Sequence, residues 1–331
     1  MVSIFAVLLA AALLIYFSCE LFVNGIEWTG VRFNIAKNAV GTVLAAVGTA
    51  LPESVVTFIA VVFGRNLHQK DIGVGAALGG PLVLSTIAYA VVGLSLLGFS
   101  RRRARGRDLD LRGSKLGRDQ AWFLSIFIFK VALGFFAFTG KALTGFLFLA
   151  AYAFYFYAEM KPVGESGKGE TMEPLRFRPH SSRPETGWIV FQTLLSLLLI
   201  AAGSQIFVHS LESLSARIGL PSHVVALFLS PVATELPEIL NAVIWVRQGK
   251  ERLALANISG AMMIQATVPS ALGILFTPWL FDKYLAMAGL FTILSILFLW
   301  FTLRRRKLSA YRLAWAAVFY LLFTIVVFQN V

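Results

Sequence analysis

Long apolar runs recur along the chain, each at least about as long as the twenty residues a helix needs to cross the hydrocarbon core of a bilayer. Short basic loops separate them. In lipid every backbone N–H and C=O must be paired inside the protein, so a spanning segment is a helix or a strand of a closed barrel. A barrel would show alternating segments of about ten residues, and these runs are longer and uniformly apolar. With 58% hydrophobic residues and a mean hydropathy of +0.77, the expected fold is an all-α polytopic membrane protein. The run from Val2 to Val23 has no basic start and no clean small-residue cleavage site, so it reads as a retained first helix.

The pattern predicts ten transmembrane helices, over about 2–24, 37–64, 71–98, 120–139, 141–160, 186–210, 219–247, 252–276, 283–303 and 309–329. With the N-terminus outside, the alternation leaves only Arg65, Lys70, Lys130, Lys141, Arg217 and Lys283 off the inner loops, out of 29 lysines and arginines. Basic loops stay cytoplasmic, so both termini are expected outside the cell's inner (cytoplasmic) membrane. The net charge of +12 is then a topology signal, and nucleic acid is not an expected partner. The single cysteine, Cys19, excludes a disulfide framework. His68, His180, His209 and His223 have no close ligand spacing.

A stretch rich in Pro, Gly, Ser and charge, 161–185, reads as a mobile cytoplasmic linker between a first repeat, 1–160, and a second, 186–331. Thr49-Ala50-Leu51-Pro52-Glu53 is echoed by Thr234-Glu235-Leu236-Pro237-Glu238, and Gly79 aligns with Gly260. Five helices per half is an odd number, so the second copy enters the membrane upside down. Inverted repeats of this kind place substrate near the midplane, where discontinuous helices meet.

Carboxylates inside apolar runs usually face an ion path or a water-filled cavity. Thr49 and Glu53 lie one helical turn apart, as do Thr234 and Glu238. Pro52 and Pro237 have no N–H and free carbonyls one turn back. Hydroxyls, carbonyls and carboxylates together suit hard cations such as Ca²⁺ and Na⁺. Crowding Glu53, Glu235 and Glu238 together requires a cation or at least one proton among them. Gly75 and Gly79 have the spacing that lets helices approach closely, with Gly260 and Ala261 as a weaker counterpart. Gln265 is the best polar ligand of the second copy. Glu20 and Glu27 are expected at the interface, Asn24 and Asn257 as helix caps, and Lys130 snorkelling or paired.

These motifs resemble the cation/Ca²⁺ exchanger superfamily, in particular the prokaryotic sodium/calcium exchanger-like proteins. The resemblance rests on Gly48–Glu53 and Ala233–Glu238, and on the second-helix motifs Gly79–Leu84 and Gly260–Gln265. It implies an antiporter that expels Ca²⁺ by sliding the first and sixth helices against a fixed core. The counter-ion it implies is Na⁺; Ca²⁺/H⁺ exchange is the alternative, and a transport-inactive protein of the same fold is a third reading. It places the central acids on Glu53 and Glu238, hydroxyl ligands on Thr49 and Thr234, and carbonyl ligands on Ala46 and Pro231. The family's motif serines fall on Ala50, Glu235, Gly80 and Ala261, and its second-helix polar ligands on Leu84 and Gln265. No cofactor is expected beyond the transported ions, no enzymatic signature is present, lipid is the expected surroundings, and a monomer is expected to suffice.

Overall fold

A computed structural model describes residues 2–32, 51–100, 108–110, 116–159, 173–181, 183–304 and 307–330. In chain order these form α1 (Val2–Arg32), α2 (Leu51–Val62), α3 (Leu67–Gly98), β1 (Asp108–Asp110), α4 (Leu116–Leu133), α5 (Gly145–Glu159), α6 (Thr186–Ile218), α7 (Ser222–Thr234), α8 (Leu236–Arg247), α9 (Glu251–Phe276), α10 (Lys283–Leu303), β2 (Lys307–Ser309), α11 (Ala310–Ala314) and α12 (Ala317–Asn330).

By length and composition seven helices among the described residues are able to cross a membrane, and eight if the bent pair α7–α8 is one span. α2 is apolar but short within the described residues, and α4 carries Arg118, Asp119, Gln120 and Lys130. The first helix runs on to Arg32 instead of stopping near residue 24. Asn24 and Glu27 therefore sit inside a helix. The fourth helix starts and stops earlier than its apolar run, and a turn with a left-handed Gly140 (φ 82°) leads through a 3₁₀ turn, Lys141–Thr144, into α5.

The fold is not purely helical. β1 and β2 pair antiparallel, with Leu109 opposite Leu308, and both leucines are buried. The apolar-run pattern missed this ribbon because three residues are too few to show a period of two.

Local signals explain most ends. Asn66 caps α3 by accepting the Gln69 N–H, and Asp282 caps α10 by accepting those of Tyr284 and Leu285; such caps contribute about 1 kcal/mol each. Gly219 ends α6 in the left-handed region (φ 71°), which only glycine adopts without strain. α3 opens into a π-turn at Leu84–Ala88. Ser295 of α10 donates a hydrogen bond to the Ser85 carbonyl at 2.7 Å within that turn.

The interior divides in two. One cluster joins α1 and α6 to single faces of α2 and α7, through Ile15, Cys19, Val56, Ala60, Phe207, Leu211 and Ala226. The larger cluster joins α3, α4, α9 and α10 to the C-terminal helices. α3 and α7 cross closely because Gly75 and Gly79 leave no side chain between them: a Cβ at Gly79 would lie 2.7 Å from the Leu227 carbonyl oxygen. Gly260 does not match this, since nothing lies within 4 Å of where its Cβ would be.

The described end of the linker is docked. Leu175 is buried, the Arg176 N–H donates to Asn24 Oδ1 at 3.0 Å, and the Phe177 N–H donates to Gln192 Oε1 at 3.0 Å. Asn24 is thus a tether between α1, α6 and this segment, and not a cap.

Candidate cation site

Pro237 has no N–H to continue the helix through Thr234 and Glu235, and the span breaks there. α7 ends at Thr234, α8 starts at Leu236, and the two are bent by 43°. Thr234 and Glu235 therefore stand at the break, with Glu238 one turn into α8. Helix α2 brings Glu53 against them, α9 brings Gln265, and α3 brings the bare backbone of Gly80.

All five side chains are shut off from solvent: Glu53 and Thr234 are 1% exposed, and Glu235, Glu238 and Gln265 are 0% exposed. The Thr234 hydroxyl lies 2.6 Å from Glu53 Oε2, 3.1 Å from Glu235 Oε1 and 3.1 Å from the Ser230 carbonyl. Ser230 Oγ adds a longer contact to Glu53 Oε2 at 3.4 Å, and Gln265 Nε2 donates to Glu235 Oε1 at 2.6 Å. Three helical segments, α2, α7–α8 and α9, are thus joined through four polar side chains in sequence: Glu53, Thr234, Glu235, Gln265.

The donors in this group are too few for the acceptors. Thr234 has one proton to give and three acceptors around it. Glu53 Oε1, Glu235 Oε2 and Gln265 Oε1 are buried with no hydrogen-bond partner among the described residues. A buried oxygen without a donor costs about 1–3 kcal/mol, so this donor set fits a hard cation or protons. Gly80 belongs to the group by its lack of a side chain: a Cβ there would lie 2.6 Å from Gln265 Oε1 and 3.3 Å from Glu235 Oε1.

The residues singled out from the sequence fare differently. Glu53, Thr234, Glu235 and Gln265 are brought into one hydrogen-bonded group. Glu238 is buried one turn further along, in the first turn of α8. Among the described residues no three His, Cys, Asp or Glu side chains converge on a single metal position, so the acids do not form one all-carboxylate cage. The Pro231 carbonyl accepts the Glu235 N–H at 2.8 Å and keeps one lone pair. Ala46 and Thr49 lie outside the described residues.

Two residues escaped the sequence reading. Ser230 is one turn before Thr234 on the same face, so the i, i+4 rule that selected Thr234 would have found it. Thr57 is one turn after Glu53 on α2, fully buried, with no hydrogen-bond partner for its hydroxyl among the described residues.

Of the two expectations for Lys130, snorkelling fails. It does not snorkel: it is 0% exposed, and its ammonium donates to the Ala77 carbonyl of α3 and to Ser270 Oγ of α9, both at 3.0 Å. Its helix exposes Trp122, Ile128 and Phe129 on one face and turns Lys130 to the other, against α3 and α9, so the ammonium is held in the interior.

Comparison with known proteins agrees with this architecture. The family model described as "Sodium/calcium exchanger protein" matches residues 3–161 and 188–329. The protein CaxA of Alkalimonas amylolytica is 25% identical over 297 residues, covering 87% of this chain and 85% of its own. Among solved structures, the H⁺/Ca²⁺ exchanger CAX superposes with a TM-score of 0.74 at 17% identity, covering 98% of this chain and 82% of that one. The sodium-calcium exchanger NCX_Mj gives 0.59 at 18% identity, covering 97% of each. At these identities the structural likeness concerns the fold.

Proposed function

The chain belongs to the sodium/calcium exchanger protein family, and from that premise we propose that this transmembrane antiporter moves Ca²⁺ in exchange for protons. Its Ca²⁺ site on this reading is built by Glu53, Thr234, Glu235 and Gln265, with Glu238 completing it. One observation carries the choice of counter-ion. The single hydroxyl of Thr234 is shared by two buried carboxylates, Glu53 at 2.6 Å and Glu235 at 3.1 Å. When Ca²⁺ sits between such carboxylates both are ionised. When it leaves, Glu53 Oε1 and Glu235 Oε2 stay buried with no donor among the described residues, and a proton taken from water supplies one. Loading with Ca²⁺ and loading with protons then exclude each other, which is the condition for exchange.

Na⁺ as counter-ion is the second reading, favoured by the hydroxyls of Thr234 and Ser230, which are oxygen donors of the kind Na⁺ takes. Uptake of radioactive calcium into inverted vesicles separates the two. A pH gradient without Na⁺ should drive it; uptake that requires Na⁺ and ignores the pH gradient overturns the proton reading.

The same proposal takes the chain as ten helices in two inverted repeats, 1–160 and 186–331, joined by 161–185. α2 and α4 supply the spans that length and composition alone leave uncounted. The basic loops are then cytoplasmic, both termini lie outside the inner membrane, and one copy in lipid suffices. Thr49, Ala46 and the Pro231 carbonyl join the ligand set on the strength of the motif match. The division of the core supports alternating access, because α1 and α6 share with α2 an apolar cluster that meets the rest along α3 and α7.

A further inference from the structure

Lys130 is a buried cation in a protein that binds cations, and nothing in the exchange scheme uses it. Its surroundings suit an ammonium. The Ala77 carbonyl has only lone pairs to offer. The Ser270 hydroxyl gives its own proton to the Gln265 carbonyl at 3.3 Å, so toward Lys130 it is an acceptor. The Phe127 ring presents its face 4.5 Å from Nζ, and an aromatic face attracts a cation. These neighbours all present acceptors or an aromatic face, so an ammonium satisfies all three contacts.

The position of this charge ties it to the site. Ala77 is one turn before Gly80 on α3. Ser270 bonds back to Gln265, the residue whose amide holds Glu235. No carboxylate forms an ion pair with it among the described residues, so it opposes the acids from a short way off without neutralising any one of them.

We infer that Lys130 is a fixed internal cation that determines how tightly the Glu53–Glu235 site holds a divalent ion, and hence whether that ion can be released. The inference rests on the reading of that site as a Ca²⁺ site. Ca²⁺ affinity follows the net charge of the ligand set, and a transporter must bind its ion weakly enough to let it go. Several buried carboxylates with no opposing charge would trap the ion.

The test uses the full chain, purified in detergent, and binding of radioactive calcium to the parent and to K130Q, K130M and K130R. K130Q keeps hydrogen-bond donors for Ala77 and Ser270 but removes the charge; K130R keeps the charge. Both neutral variants are expected to bind Ca²⁺ about tenfold tighter, with the gain in slower release, while K130R keeps the parent's affinity. Tightening is the decisive sign, because damage to packing loosens a site. If K130Q binds as the parent does, or either neutral variant binds more weakly, the inference is overturned while the exchange reading stands. A parent that binds no Ca²⁺ overturns the exchange reading and this inference with it.

Discussion

The hydroxyl of Thr234, at the end of α7, lies 2.6 Å from the carboxylate of Glu53 on α2 and bridges it to Glu235, the next residue in the chain. Two acids that are 182 positions apart thereby share one donor at the point where the α7–α8 span breaks. The arrangement makes Thr234 the joint of the site.

Thr234→Val removes the hydroxyl and keeps the shape. A hydrogen bond to a charged group contributes about 1.5–3 kcal/mol, so Ca²⁺ binding should weaken at least about tenfold while the protein stays folded. Isothermal titration of the variant checks this, and an affinity equal to the parent's would remove Thr234 from the site.

Gly80→Ala puts a methyl group 2.6 Å from Gln265 Oε1, which has to move and release Glu235. Ca²⁺ uptake should fall sharply. In the double variant with Gln265→Ala the clash is gone, and the two changes should be non-additive by about 1 kcal/mol in a double-mutant cycle. Strict additivity would show that Gly80 and Gln265 act apart.

Gly79→Leu and Gly260→Ala are expected to diverge. The first forces a side chain into the Leu227 backbone, 2.7 Å away, and should cost roughly 1–3 kcal/mol and lower the melting temperature. At the second nothing lies within 4 Å, and alanine should be neutral or slightly stabilising in a helix interior. Thermal unfolding in detergent measures both.

Asp282 gives a pH dependence with a definite sign. Burial works to raise its carboxyl, but the hydrogen bond from His223 at 2.8 Å and the N–H groups of Leu285 and Tyr284 outweigh it, and the acid is held below its ordinary value of 3.8. A depressed acid contributes stability that is fully present above the unfolded value and lost as pH falls through the folded one. The parent should therefore lose a stabilising contribution as the pH drops below about 4. Asp282→Asn should be less stable at neutral pH, and its melting temperature should fall less steeply over that acid range. Parallel curves for the two proteins would exclude the effect.

Much of this was legible in the chain as written. The apolar runs required membrane helices, because a backbone in lipid has no other partner than itself. Pro237 announced the break at Glu235, since a proline cannot supply the missing N–H wherever it sits. The repeated Thr-x-Leu-Pro-Glu motif picked out Glu53 and Thr234 before any contact was known. Spacing along one helix likewise put Glu235 and Glu238 a turn apart.

Other features depended on what lies across from a residue, and sequence spacing is silent on that. Gly75 and Gly260 look alike in a sequence, yet one meets a helix backbone and the other open space. Lys130 was expected either to snorkel or to pair; only the placement of Ala77, Ser270 and Phe127 around it made an interior position stable. Glu53 and Glu238 were read as the central pair of acids, with Glu235 beside them; tertiary packing instead joined Glu53 to Glu235 through Thr234. Local chemistry therefore determined which segments are helical, where one breaks and which acids are buried. The fold decided which buried groups face each other, because hydrogen bonds and charges act over a few ångströms of space, whatever the separation along the chain.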